Sequence, residues 1–230
     1  MSALGSPRLH LRRTSSTNQR ARELAGAGAP HGTLVTAGEQ TAGRGRQGRT
    51  WVAPAGRALL MSLVLHHPRR LLPLAAGVAV AELAGSQAMV KWPNDVLVNG
   101  RKVAGILVEG RPQEGWAVLG IGLNVAVATE DFPPDLRATA GTLGLEPEAL
   151  EPTLERLLDQ LGQWLQADDG AVLEAVRDRD ALSGRQVSWA GGTGRAEGID
   201  GDGGLVVITE TGRVALDAGE VHLTGAAPSV

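Results

Sequence analysis

The twelve residues QTAGRGRQGRTW (40–51) bring positive charge and backbone freedom together, with Arg44, Arg46 and Arg49 interleaved with Gly43, Gly45 and Gly48. Guanidinium forks grip carboxylates and phosphates in paired hydrogen bonds, and glycines let a chain fold closely over a ligand. Two phosphate motifs overlap here. Gly43-x-Gly45-x-x-Gly48 has the spacing of a dinucleotide fingerprint, and Gly43-xxxx-Gly48-Arg49-Thr50 is one residue from a Walker A loop. Both need a helix to begin at once, so that its N-terminal amides meet the phosphates. The next residues are WVAPAGRA, with Pro54 and Gly56 where helical turns should start, and Arg49 is no equivalent of the Walker lysine. No acidic residue follows at the ~20-residue spacing that a ribose contact needs. Both motifs fail on context. What remains is either a solvated connection or a cationic lid, and an extended chain would put Arg44 and Arg46 on one side, which favours the lid.

A second constellation is KWPNDVLVNGRKVAGILVEG (91–110). Pro93 stops a strand, Asn94 and Asp95 sit at the turn, and Lys102 stands among Val103, Ala104, Ile106 and Leu107. A lysine so placed ordinarily snorkels to the surface; Ala104-Gly105 beside it would let a ligand reach the backbone. Charge is unevenly distributed as well. Formal net charge is −3, yet no Asp or Glu occurs from Gln40 to Ala81, where Arg44, Arg46, Arg49, Arg57, Arg69 and Arg70 supply six positive charges. That local field predicts one anionic ligand site rather than a nucleic-acid face. The absence of cysteine excludes disulfides, thiolate metal sites and thiol nucleophiles. Neither a signal peptide nor a membrane span is visible, so a cytoplasmic location is expected.

These residues need elements to hold them. SSTNQRARELAGAG (15–28) predicts a helix with a Ser16-x-x-Gln19 capping box. GTLVTAGEQ (32–40) and RALLMSLVLHH (57–67) predict strands around the arginine loop, the second apolar enough to be buried on both faces. Residues 71–85 predict a helix, and strands follow at 88–92, 95–100, 101–110 and 115–125, with Asn99-Gly100 as a type I′ hairpin turn. Leu154, Leu157, Leu158, Leu161 and Leu165 keep helical spacing, and a short helix follows over about 170–182. Beyond Ser183 short β-branched runs alternate with glycine-rich turns, the pattern of a small all-β barrel. The expected division is 1–182 and 183–230.

The ordered set SSTN, EQTAGRGRQGRTW, KWPNDVL, RKVAGILVEG and GIGLNV resembles the biotin protein ligase family, through nearly the whole chain. The resemblance implies an α/β (α+β) fold: a central mixed sheet flanked by helices, related to class II aminoacyl-tRNA synthetases, with an SH3-like barrel at the end. It also implies two steps. Biotin and ATP give biotinyl-5′-adenylate and pyrophosphate; the acyl group then passes to a lysine of a biotin carboxyl carrier domain.

By that resemblance Arg46 and Lys102 are the catalytic cations at the carboxylate–phosphate junction. Ser16, Thr17, Asn18, Gln40, Gly43, Arg44, Gly45 and Gly105 join them around biotin, while Arg49, Trp51, Asn94, Asp95 and Asn124 join them around ATP or the adenylate. Helix capping by Ser16 or Thr17, and a core position for Trp51, are the plainer readings of those residues. No protein metal site is implied; Mg²⁺ is expected with the ATP. A loop that orders over the adenylate would exclude water from a mixed anhydride.

Some relatives carry a tyrosine near Leu60, so this chain would have an altered pocket wall there. The ligase motifs start near residue 14, which leaves no room for the DNA-binding domain of some relatives, and no DNA partner is expected. The resemblance admits monomers and edge-to-edge dimers, with the balance towards a homodimer. Rival readings are a lipoate or octanoate ligase of the same fold, a non-catalytic biotin-binding module, and a nucleic-acid binder using the RGRG loop. The low aromatic content, 3%, speaks against the last.

Overall fold

A computed structural model of the chain describes residues 4–224. Seven strands form one mixed sheet in the order β1-β2-β5-β9-β8-β7-β6. These are β1 (Arg8–Leu11), β2 (Leu34–Ala37), β5 (Ala58–His66), β6 (Ala88–Lys91), β7 (Asp95–Val98), β8 (Arg101–Arg111) and β9 (Trp116–Asn124). Only β1 and β2 run parallel; each other neighbouring pair is antiparallel. Asn99 and Gly100 both have positive φ, 50° and 74°, as the predicted hairpin turn between β7 and β8 requires.

Helices cover both faces. α1 (Thr17–Gly26) packs on one side over β2, β5 and β9, burying Ala21 and Ala25 against Val35, Val64, Trp116 and Val118. α2 (Leu72–Ala84) packs on the other side over β6, β7 and β8, and is covered in turn by α3 (Leu150–Trp164) and α4 (Asp169–Asp178). Sandwiched between sheet and helices, α2 is apolar all round, as a fully buried helix must be. In α3 the leucines at 154, 157 and 161 are buried, which is the predicted stripe. β5 is buried on both faces, as its composition predicts. Two local expectations change. The capping box is half made: Ser16 accepts from the Gln19 amide at 3.4 Å, while the Gln19 side chain donates to Glu23 instead of returning to the cap. The last helix ends at Asp178, four residues short of its predicted limit.

A second sheet of five antiparallel strands follows, in the order β13-β12-β11-β10-β14. Its members are β10 (Gln186–Trp189), β11 (Gly192–Ile199), β12 (Leu205–Thr209), β13 (Gly212–Leu216) and β14 (His222–Leu223). It docks on the first unit through polar and apolar contacts: Trp92 Nε1 donates to the Gly203 carbonyl at 3.0 Å and Arg177 Nε to that of Ile199 at 2.8 Å. Among the described residues no helix is long and apolar enough to cross a membrane.

Candidate active site

The arginine loop folds as a small hairpin, in which β3 (Gly43–Arg44) pairs with β4 (Thr50–Trp51). A short 3₁₀ turn, Arg46–Gly48, joins them, and the Gly45 amide donates to the Arg49 carbonyl at 2.7 Å to close it. Gly43 stands opposite Trp51, and a Cβ there would come within 2.4 Å of the Trp51 carbonyl oxygen, so this glycine is dictated by pairing. The turn also separates the two arginines expected side by side. Arg44 reaches back to Gln19 of α1 at 3.5 Å, whereas Arg46 donates to Asn94 Oδ1 at 3.2 Å in the β6–β7 turn. They line one cavity from opposite flanks.

The hairpin lies over a bare strip of sheet. On the face of β5, β9 and β8 that also carries α1, Ser62, Gly120 and Leu107 form one cross-strand row, and Leu60, Gly122 and Gly105 form the next. Asn18 lies on the first row, its Oδ1 only 2.0 Å from where a Gly120 Cβ would stand. Trp51 lies on the second, its ring 2.5 Å from a Gly122 Cβ position and 3.1 Å from that of Gly105. Glycine is thus needed because side chains from other elements press on the backbone. The cavity between these covers is about 520 Å³, within the range for small-molecule sites.

Its two ends differ. At the α1 end, Gln40 Oε1 accepts from the Thr17 amide at 2.7 Å and the Thr17 hydroxyl at 3.0 Å. Ser62 Oγ lies 2.9 Å from Thr17 Oγ1 and 2.6 Å from Asn18 Oδ1. Asn18 Nδ2 donates to Glu109 at 2.9 Å and more weakly to the Leu107 carbonyl at 3.4 Å. This end is neutral, and its polar groups hold one another. Ser16 lines it too, and also caps α1.

At the other end Lys102 Nζ pairs with Asp95 at 2.7 Å and stands 5.8 Å from the Trp51 ring centroid, within cation–π range. Arg49 pairs with Glu220 at 2.6 Å. Lys91, the cross-strand partner of Asp95, lines the same end. Burial pulls the Arg46 guanidinium below its usual arginine range, opposed by Asp95, and burial lowers Lys91 as well, again against Asp95. In all, five cations (Arg44, Arg46, Arg49, Lys91, Lys102) face two carboxylates (Asp95, Glu220) across the cavity. Asn94 Nδ2 holds the Ile106 carbonyl at 3.0 Å, and Asn124 Nδ2 holds that of Gly141 at 2.9 Å. The Asn124 Oδ1 atom is buried without a hydrogen-bond partner, as is Trp51 Nε1. Such orphans are expected to find a partner in a bound ligand.

A sequence model of the biotin/lipoate A/B protein ligase family matches residues 10–125, and one of the biotin protein ligase C-terminal domain matches 182–223. A biotin–[acetyl-CoA-carboxylase] ligase of Paracoccus denitrificans is 36% identical over 94% of this chain and 100% of its own length. The chain belongs to the biotin protein ligase family. It is also 45% identical to a bifunctional ligase/repressor BirA of Bacillus spizizenii over 56% of its length; the match spans only 43% of that relative. Among solved structures, the biotin protein ligase of Aquifex aeolicus in complex with biotin and ATP superposes with a TM-score of 0.79 at 27% identity, covering 96% of this chain and 100% of that one.

The fold brings every sequence-predicted site residue except Gly43 to the cavity lining, and Gly43 lies behind it in the hairpin. Two expectations are corrected. Leu60 is not among the lining residues: it is buried with Ala58, Val127 and Phe132 against Trp51, at the β5 end of the row it shares with Gly122 and Gly105. The six arginines of 40–81 do not converge either, because Arg69 pairs with Asp169 and Arg70 with Asp202, away from the site. Lys91, Glu220 and His222 line the cavity and were missed, as was Ser62, which is buried behind Thr17 and Asn18. Lys91 and Ser62 carried the signal used for Lys102, a lone polar residue in an apolar strand; nothing local marked the other two.

Proposed function

We propose that this ligase activates biotin with ATP to biotinyl-5′-adenylate and transfers the acyl group to a lysine of a biotin carboxyl carrier domain. The observation that carries the reading is one cavity joining a neutral, hydrogen-bonding end to an end with four cations, Arg46, Arg49, Lys91 and Lys102, with Arg44 on the opposite flank. Biotin presents the matching pair of groups, a neutral ureido ring and a carboxylate, and ATP adds a polyanion.

In step one a carboxylate oxygen attacks the α-phosphorus and pyrophosphate leaves. Two anions must approach each other, so fixed positive charge at their junction lowers the barrier. Arg46 and Lys102 are assigned to that junction, because Arg46 is held by Asn94 and Lys102 by Asp95 on one turn. Arg49 and Lys91 are assigned to the leaving phosphates. Ser16, Thr17 and Gln40 supply donors and acceptors to the ureido group, with Asn18 and Ser62 fixing their positions. Gly105 gives the ligand access to the sheet, and Arg44 and Gly45 close the mouth. Asn124 and Trp51 offer their unpaired polar atoms to the adenylate. In step two the acceptor amine attacks the carbonyl carbon and AMP leaves. Among the described residues no group of three acidic or histidine side chains could hold a metal. Mg²⁺ would accompany the nucleotide, supplying further neutralisation of the phosphates. The boundary at 182/183 is supported by the separate C-terminal sheet and by the start of its family match at 182.

The test is biotin-dependent ATP–pyrophosphate exchange, run in parallel with lipoate. Exchange with biotin alone is expected. Exchange with lipoate alone, or with neither, would overturn the assignment.

A further inference from the structure

Among the described residues after Lys102, the ionisable side chains lining the cavity are Glu220 and His222, both from the last strand region of the C-terminal sheet. Their position is fixed by packing. Val221 between them is buried, β14 pairs with β10, and the turn at Gly203 seats so closely on α2 that a Cβ there would lie 2.5 Å from Leu71. Glu220 Oε1 stands 2.6 Å from Arg49 Nη2 and 3.3 Å from His222 Nε2. Arg49 is also the residue whose carbonyl closes the 3₁₀ turn bearing Arg46. One ion pair therefore joins the docked sheet to the closing residue of the hairpin.

We propose that Glu220 is a positioning residue: through Arg49 it fixes the hairpin 43–51 so that Arg46 faces the nucleotide end of the cavity. The inference rests on the ligase reading for its catalytic consequence, but not for its structural one. A hairpin whose ladder is only two residue pairs long has little stability of its own. An external tie at its turn decides how often it opens. Arg49 is more than half exposed and Glu220 about a quarter, so the tie is worth a several-fold change in opening, not an all-or-none effect.

Two measurements on the ligand-free full chain and on the working enzyme test this. Trypsin cleavage after Arg44 or Arg46 is expected to be about fivefold faster in Glu220→Gln than in wild type. Glu197→Gln, which removes the Arg213 partner elsewhere in the same sheet, is expected to leave that rate unchanged. The charge swap Arg49→Glu/Glu220→Arg restores resistance at Arg44 and Arg46 if the pair itself acts. In the exchange assay, Glu220→Gln raises the KM for ATP by a similar factor and leaves the KM for biotin alone. Equal cleavage in Glu220→Gln and wild type, faster cleavage in Glu197→Gln, or no restoration by the swap would each overturn the proposal. If the wild-type chain shows no biotin-dependent exchange, the ligase reading fails, and the cleavage rates still decide the role of Glu220.

Discussion

At one end of the cavity Thr17, Asn18, Gln40 and Ser62 satisfy one another; at the other, four cations share two carboxylates. The neutral end sits between α1 and the central strands, where its polar groups are held by one another. The charged end is built from a hairpin, a turn and the C-terminal sheet, and its four cations exceed its two carboxylates by two positive charges. A rigid end selects by shape and hydrogen bonding, whereas an under-compensated end stores electrostatic work for the chemical step. Variants at the two ends should accordingly separate into biotin effects and nucleotide effects.

The sharpest break is Lys102→Ala, expected to lower exchange at least a hundredfold, in line with loss of one preorganised charge contact. Biotin affinity measured by calorimetry should fall less than tenfold. Gly120→Ala attacks the other end, since its Cβ would sit 2.0 Å from Asn18 Oδ1 and displace the group that orients Ser62. Biotin KM should rise more than tenfold with the KM for ATP near wild type, and an equal rise in both would erase the contrast between the ends. Ser62→Ala leaves Thr17 and Asn18 without their shared partner; a lost buried hydrogen bond of about 1–2 kcal/mol predicts a roughly tenfold loss in biotin affinity. Raising salt from low to several hundred millimolar should weaken ATP a few-fold and biotin hardly at all, because only the charged end is screened.

The smallest effect tests the charged end without ligand. Burial holds the Lys91 pKa below its usual value of 10.5, so the folded chain binds that proton less tightly than the unfolded chain does. Its charge therefore costs stability at every pH below the folded pKa, and the cost fades as pH rises through that value towards 10.5. Lys91→Met should raise the Tm of the ligand-free protein by about 2–4 °C, read by calorimetry at neutral pH. A fall in Tm would show that Lys91 is held by favourable contacts rather than strained by its neighbours.

What the sequence made legible was local. The Asn99-Gly100 turn, the leucine stripe of α3 and the unbroken apolar run of β5 each follow from neighbouring residues, and each stands where expected. Family resemblance supplied the roles of Arg46 and Lys102, and the fold places both on one cavity. The rest depended on partners far along the chain. Glycine at 120 and 122 means little until Asn18 and Trp51 are seen lying on them. Leu60 and Met61 read alike in sequence, yet opposite faces of one strand send the first into the small cluster against Trp51 and the second into the main core with α2. Lys91 escaped because WPND drew attention one residue too late.

The acid-free stretch 40–81 has one more consequence, for the order in which the molecule is made. Its arginines at 49, 69 and 70 find their carboxylates at 220, 169 and 202, each about a hundred residues or more downstream. During synthesis the N-terminal half emerges with these charges unanswered, and the hairpin stays without its outer tie until residue 220 has left the ribosome. The cationic end of the cavity is thus the last part to be completed, which keeps a half-made chain from presenting a finished nucleotide site.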